Sequence, residues 1–229
     1  EALTAVLASI DQHGADEIIC LGDVVGYGSD PAACLDLVER SCRIKLMGNH
    51  DAAVLGQTPV DTYTIAARIA AEWTREVMSD ASLRVLSSFA MQYRLGDSLF
   101  VHASPFEPAE WHYILGPADA VQAFGSFEEK LCFHGHSHIP AIFAEMTGDL
   151  PRLKAAHSFD PNEESRYLVN VGSVGQPRDD DPRACWVRYD TDERAVEYYR
   201  VEYDIARTQA KMTEANLPTA LVNRLAVGR

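Results

Sequence analysis

A layered α/β or α+β fold, a mixed β-sheet faced by helices, is what this sequence predicts, and two patterns carry the prediction. Helical and strand-like periods alternate through the first half, whereas the second half is mostly short β-branched or aromatic runs separated by turn-rich stretches. Leu3, Val6, Leu7 and Ile10 recur at helical spacing and Gly14 follows as a C-terminal stop, so a helix comes first. Residues 17–21 read as a buried strand. After a glycine loop over residues 22–28, Asp30 is placed to cap a helix with Pro31 at its first position. Residues 43–47 form the next expected strand, and residues 62–78 and 80–89 two helices. The pair Gly96-Asp97 then joins strands at 92–95 and 98–101. Strands are expected at 131–133, 141–146, 166–171, 185–189 and 196–201, and closing helices at 204–215 and 219–226. The polar loops at 161–164 and 178–182 are too short for domain linkers. With no internal repeat, 229 residues suit one core, so residues 1–229 are expected to form a single domain.

Composition narrows the function. The 34 acidic residues against 20 basic ones give a formal charge of −14, which repels polyphosphate backbones and argues against a nucleic-acid-coating role. An acidic protein that handles phosphate should do so through bound cations. Five cysteines, an odd number without paired short spacing, suggest neither a disulfide framework nor a cysteine zinc site. Cys20 and Cys132 lie in apolar runs and read as buried small hydrophobes. No apolar run approaches the ~18 residues of a membrane span, and no basic region precedes an apolar stretch as in a signal peptide. A cytoplasmic protein without a membrane partner is the expectation.

Four strand-like runs end in residues that bind metals. They are Ile18-Ile19-Cys20-Leu21-Gly22-Asp23, Ile44-Lys45-Leu46-Met47-Gly48-Asn49-His50-Asp51, Leu99-Phe100-Val101-His102 and Leu131-Cys132-Phe133-His134-Gly135-His136-Ser137-His138. In layered α/β sheets, sites form at the carboxyl ends of strands, so these four ends can converge although they are distant in sequence. Their oxygen and nitrogen donors suit divalent ions such as Mn²⁺, Fe²⁺ or Zn²⁺, with no thiolate set to select a softer metal. Two such ions can clamp the attacking and leaving oxygens of a phosphoryl displacement, and Asp23 is the candidate to bridge them.

In Gly22-Asp23-Val24-Val25-Gly26, Gly48-Asn49-His50-Asp51, Val101-His102 and Gly135-His136-Ser137-His138, in that order, the sequence resembles the calcineurin-like metallophosphoesterases. The run Asn170-Val171-Gly172-Ser173-Val174-Gly175-Gln176-Pro177-Arg178-Asp179 resembles a loop of that family's small bacterial phosphodiesterase-like branch. The resemblance implies a β-sandwich flanked by helices and two divalent metal ions. It implies that Asn49, His102 and His136 hold one ion, that Asp23 bridges, and that His138 serves the other. It further implies attack on phosphorus by a metal-bridging hydroxide, with His50, kept protonated and oriented by Asp51, over the leaving group. The family also carries an Asp-x-His motif at the end of an initial strand, just before the helix that Glu1 opens. No such motif stands ahead of that helix here; the triplet Asp11-Gln12-His13 lies within it. Omission from the sequence is expected rather than true loss, because losing a central strand would uncover backbone donors and a sheet edge.

Each residue has a plainer reading too. His50, His102, His136 and His138 taken singly could be hydrogen-bonded core histidines; together they point to ligation or catalysis. His134 reads as packing or as a support to the ligands, and His13 and His157 as solvent-facing. Trp111 and His112, with Tyr113, could stack on a nucleobase or anchor their loop. Arg178 could fork onto a phosphate oxygen or pair with Asp179 or Asp180. Asn170 and Ser173 could offer polar contacts near the metals or build a turn. The expected substrate is a phosphodiester, a phosphomonoester or a small nucleotide such as a dinucleoside polyphosphate, with a phosphoprotein as a close alternative. A protein-interaction scaffold of the same fold with a metal-binding but non-catalytic site is the alternative from another class.

Overall fold

The computed structural model describes residues 1–146, 148–155, 157–162 and 164–229. Its elements run α1 (Ala2–His13), β1 (Ile19–Cys20), α2 (Pro31–Ser41), β2 (Ile44–Lys45), α3 (Asn49–Leu55), α4 (Ile65–Val77), α5 (Asp80–Leu86), β3 (Gln92–Leu95), β4 (Ser98–Val101), α6 (Pro117–Phe124), β5 (Leu131–His134), β6 (Ala141–Ala144), β7 (Arg152–Lys154), β8 (Tyr167–Asn170), β9 (Ala184–Asp190), β10 (Ala195–Val201), α7 (Ile205–Glu214) and α8 (Thr219–Arg224). The mixed α/β architecture expected from the sequence is therefore present, with departures that have local causes. Helix α3 falls where a strand end alone was expected, because the Asp51 carboxylate reaches back to the Gly48 N–H and starts a helical turn. Helix α6, opened by Gly116-Pro117 and Asp119, was hidden by its shortness. Asp30 precedes α2 but does not cap it through its side chain, which instead accepts from Ser29 and pairs with Lys211 of α7. Residue 163 of the expected loop at 161–164 lies outside the described residues.

The main sheet has six strands in the order β3-β4-β5-β8-β6-β7. Strands β4, β5 and β8 run parallel, and every residue in them is buried, as parallel strands covered on both faces require. Their carboxyl ends consequently deliver His102, Gly135 and Val171 to one edge of the sheet. Hydrogen bonds from Gly135 N to His102 O (2.8 Å) and from Val171 N to His134 O (2.9 Å) lock those ends together.

Strands β1 and β2 form a separate parallel pair in register Ile19 with Ile44, and β9 and β10 an antiparallel hairpin. The β1 and β2 ends therefore lie side by side. Gly22, at φ +97°, makes this possible: a Cβ there would stand 2.6 Å from the Gly48 nitrogen and 2.9 Å from His102 Nδ1. Helix α1 packs Ala2 and Val6 on Ala184 and Trp186 of the hairpin. A cavity of about 1060 Å³ opens among α1, β1, the main sheet and β9, with Leu7, Ile19, Phe100, Phe133 and Val187 in its wall, and it reaches Asp23 and His136. The closing helices gather Met212, Leu217, Leu221, Val222 and Leu225 against Ala70 of α4 and the ring of Tyr27, so they cover the helical side next to the β1 loop. Among the described residues, no helix is long and apolar enough to cross a membrane.

Leu168, fully buried at the centre of β8, tests the core directly. Leu168→Ala should cost about 2–5 kcal/mol of unfolding free energy by urea titration; a loss under about 1 kcal/mol would mean that the central sheet is less tightly packed than described.

Candidate metal centre

Three of the four strand ends meet in one cluster of ligand atoms. A carboxylate oxygen of Asp23 and one ring nitrogen each of His102 and His136 lie within 4.8 Å of one another. Asp23 Oδ2 is 3.4 Å from His102 Nε2, and Asn49 Oδ1 is 3.2 Å from the same nitrogen. Donor atoms on one divalent ion, each about 2.0–2.2 Å from it, must stand at about this separation from each other.

Backbone contacts aim each ligand. The His102 Nδ1–H donates to Leu21 O (2.8 Å) and the His138 Nδ1–H to Gln176 O (2.7 Å), so both rings present Nε2 for another role. The Tyr63 hydroxyl donates to Asn49 O (3.0 Å) and accepts from Asn49 Nδ2 (2.7 Å), which turns Oδ1 of that side chain toward His102. Asp23 Oδ1 accepts the His50 backbone N–H at 2.8 Å, leaving Oδ2 toward the histidines. Asp23, His136 and His138 all have positive φ, at 55°, 63° and 63°. Such backbone strain in side chains with a Cβ clusters where function requires a particular aim.

The electrostatics fit a cation. Burial opposes the Asp23 charge, but His102 beside it holds the carboxyl well below the usual range. Burial likewise opposes a charged His102, yet the Asp23 carboxylate beside it raises its pKa. Burial, reinforced by His102, pushes His136 down to about 3, and burial with Arg178 does the same to His138. Among the described residues, neither nitrogen of buried His136 has a partner, nor does His50 Nδ1. Each orphaned group costs about 1–3 kcal/mol, a cost that ligation removes. The side chains present therefore suit a divalent ion: Asp23, Asn49, His102 and His136 would hold it, and His138 stands close by with a free Nε2.

His50 and Asp51 occupy the expected region but are not bonded to each other. Consecutive residues on α3 face different directions. The Asp51 carboxylate accepts N–H groups from Asp23 (2.7 Å), Gly48 (2.9 Å) and Val25 (3.2 Å), tying the β1 loop to the β2 loop. Burial and the Asp23 charge raise its pKa against those donors. His50 lies between the rings of Tyr27 (centroids 4.0 Å apart) and Tyr63 (4.9 Å). Burial pushes its pKa down to about 4, and the Asp51 carboxylate is engaged with those backbone N–H groups rather than with the His50 ring.

The remaining predicted residues divide. Asn170 braces the loop after β5, donating to Gly135 O (2.7 Å) and Ser137 Oγ (2.9 Å) and accepting from Gly172 N (2.9 Å). Ser173 Oγ accepts from Gln176 N at 3.0 Å, which is turn building. Trp111 takes the anchoring alternative: its indole N–H donates to Thr58 and its ring meets the edge of His102. His112 is exposed, with Nε2 beside the Glu107 carboxylate. The aromatic ring over the cluster is instead Tyr113, 4.0 Å from the His136 ring. Arg178 pairs with neither neighbouring aspartate, since Asp179 binds Arg200 and Asp180 binds Arg229. Tyr27 and Tyr63 were missed as site residues; only the place of Tyr27 in the Gly26-Tyr27-Gly28 loop beside Asp23 offered a signal.

The fold is that of the metallophosphoesterases. The chain belongs to the calcineurin-like phosphoesterase superfamily, whose domain model matches residues 1–194. It is similar to a metallophosphoesterase from Sphaerobacter thermophilus of known crystal structure, with 40% identity, a TM-score of 0.87, and coverage of 100% of this chain and 94% of that one. An uncharacterized protein of Methanocaldococcus jannaschii is 37% identical over 234 aligned residues, covering 100% of this chain and 93% of its own length. A hypothetical protein from Pyrococcus horikoshii shares the fold at 15% identity, with a TM-score of 0.77 over 100% of this chain and 93% of that chain.

If Tyr63 sets the direction of the Asn49 amide, Tyr63→Phe should weaken metal affinity by about 10-fold or more in calorimetric titration while leaving the fold intact. Unchanged affinity would mean that Asn49 is not a ligand or needs no such support.

Proposed function

We propose that this chain is a dinuclear, divalent-metal-dependent hydrolase of phosphate esters. The observation that carries the reading is the convergence of Asp23, His102 and His136 at the strand ends, in a chain of the calcineurin-like phosphoesterase family. In this reading Asn49, His102 and His136 hold one ion, Asp23 is shared, and His138 serves the second. Bound divalent ions supply a Lewis acid for the phosphoryl oxygens and lower the pKa of water toward neutrality.

The chain's own side chains have separable tasks. Asp51 fixes the two glycine loops, so Asp23 and Asn49 keep their separation. The His50 ring stands next to the Asp23 carboxylate and can donate a hydrogen bond or a proton to the departing oxygen. Tyr27 and Tyr63 hold that ring in place and exclude water from its faces. Tyr113 offers an aromatic face beside His136 to the organic part of a phosphodiester or nucleotide.

His50→Ala should retain its metal and lose about 100-fold or more in kcat on bis-p-nitrophenyl phosphate with Mn²⁺, whereas Asp23→Asn should lose metal as well as turnover. Wild-type turnover in both variants would remove the mechanism. Full metal loading of the wild-type protein without turnover of bis-p-nitrophenyl phosphate, p-nitrophenyl phosphate or a dinucleoside polyphosphate would favour the binding-scaffold reading instead.

A further inference from the structure

Half-buried arginines in this chain otherwise pair with carboxylates: Arg166 with Glu145, Arg188 with Glu197 and Arg200 with Asp179. Arg178 and Arg224 are also half-buried, yet among the described residues neither has an acidic partner. Both donate to one neutral oxygen. Arg178 Nη2 lies 2.7 Å and Arg224 Nη1 3.0 Å from Oε1 of Gln176, itself only 4% exposed. Since a guanidinium can only donate, the amide oxygen must face the two cations, and Gln176 Nε2 is left buried without a partner. Two like charges held on a single amide oxygen in an acidic protein repel, and an anion between them relieves that repulsion.

The pair is joined to the metal centre by short links. The Arg178 backbone N–H donates to His138 O at 3.1 Å, and its guanidinium donates to the Tyr27 hydroxyl at 3.1 Å. The other face of the link is the Tyr27 ring against His50. The charge of Arg178 is felt at both ends: after burial, it is the largest influence lowering His138, and it also lowers Arg224. Arg224 arrives from the last turn of α8, which gives the closing helices a place in the site.

We propose that Arg178 and Arg224 form an anion subsite beside the metal centre that receives a second phosphate group of the substrate. The inference rests on the hydrolase reading and narrows it: the preferred substrates carry linked phosphates, as nucleoside and dinucleoside polyphosphates do, rather than one isolated ester. A guanidinium pair suits this role because its planar donors fork onto phosphate oxygens.

The test compares binding of methylenediphosphonate, which cannot be hydrolysed, with methylphosphonate, by calorimetry on the full, Mn²⁺-loaded chain without free metal. Wild type should prefer the diphosphonate by about 10-fold or more. Arg178→Gln and Arg224→Gln should each cut that preference to within about 2-fold at unchanged methylphosphonate affinity and metal content, and Arg224→Lys should keep part of it. A wild type without the preference, or an Arg224→Gln variant that keeps it in full, overturns the proposal. So does binding of two separate methylphosphonates per chain, one lost in each Gln variant, with no gain from linking them; that result assigns the subsite to a free phosphate ion. No turnover is read here, so a chain that binds as expected but hydrolyses nothing contradicts the hydrolase reading and not the subsite.

Discussion

The buried Asp51 carboxylate holds the site together by accepting backbone N–H groups from Asp23, Val25 and Gly48. These donors come from two loops, one following β1 and one following β2. A carboxylate with no exposure to solvent needs such donors to offset its lost hydration, and the loops need it to keep their nitrogens satisfied. Everything that follows in the site depends on this mutual demand. It places Asp23 Oδ1 against the His50 N–H, frees Oδ2 to face His102, and starts α3 so that Asn49 turns toward the same point. The parallel run of β4, β5 and β8 then brings the histidine loops to the edge where those two loops meet.

Around this frame the molecule arranges two unlike environments. On the metal side, carboxylate and imidazole groups are aimed by backbone carbonyls and left with unpaired atoms. On the other side, Tyr27, Tyr63 and Tyr113 enclose His50 and His136 with aromatic faces, and Tyr27 passes on to Arg178. The closing helices complete this second wall. They pack their apolar residues on α4 and Tyr27 and set Arg224 on the oxygen that Arg178 already uses.

Much of this was legible in the amino-acid sequence, for an identifiable reason. Glycine followed by Asp, Asn or His at the end of an apolar run marks a strand that stops at a crevice; three such runs carried Asp23, Asn49 and His136 to attention, and a fourth apolar run ends directly in His102. What escaped was set by tertiary contact. The pairing of His50 with Asp51 was expected from the family resemblance, but adjacent residues on a helix point apart, and each has its partners on other loops. Tyr63 precedes α4 with nothing local to mark it, and its bond to Asn49 spans fourteen positions. The segment from Trp111 to Tyr113 was read as stacking on a nucleobase or anchoring its loop, and which of its rings lies against His136 follows the left-handed turn at Trp111, at φ 57°. Arg224 was invisible because its meaning lies in Gln176, forty-eight residues away.

The central claim is that the Asp23, His102 and His136 cluster is a divalent-cation site. Anomalous scattering from a crystal of the full-length protein equilibrated with Mn²⁺ addresses it most directly. The account predicts a peak about 2.0–2.4 Å from an Asp23 carboxylate oxygen and from a ring nitrogen of His102 and of His136. Manganese bound elsewhere, with hydrogen bonds still joining Asp23 and Asn49 to His102, would contradict it.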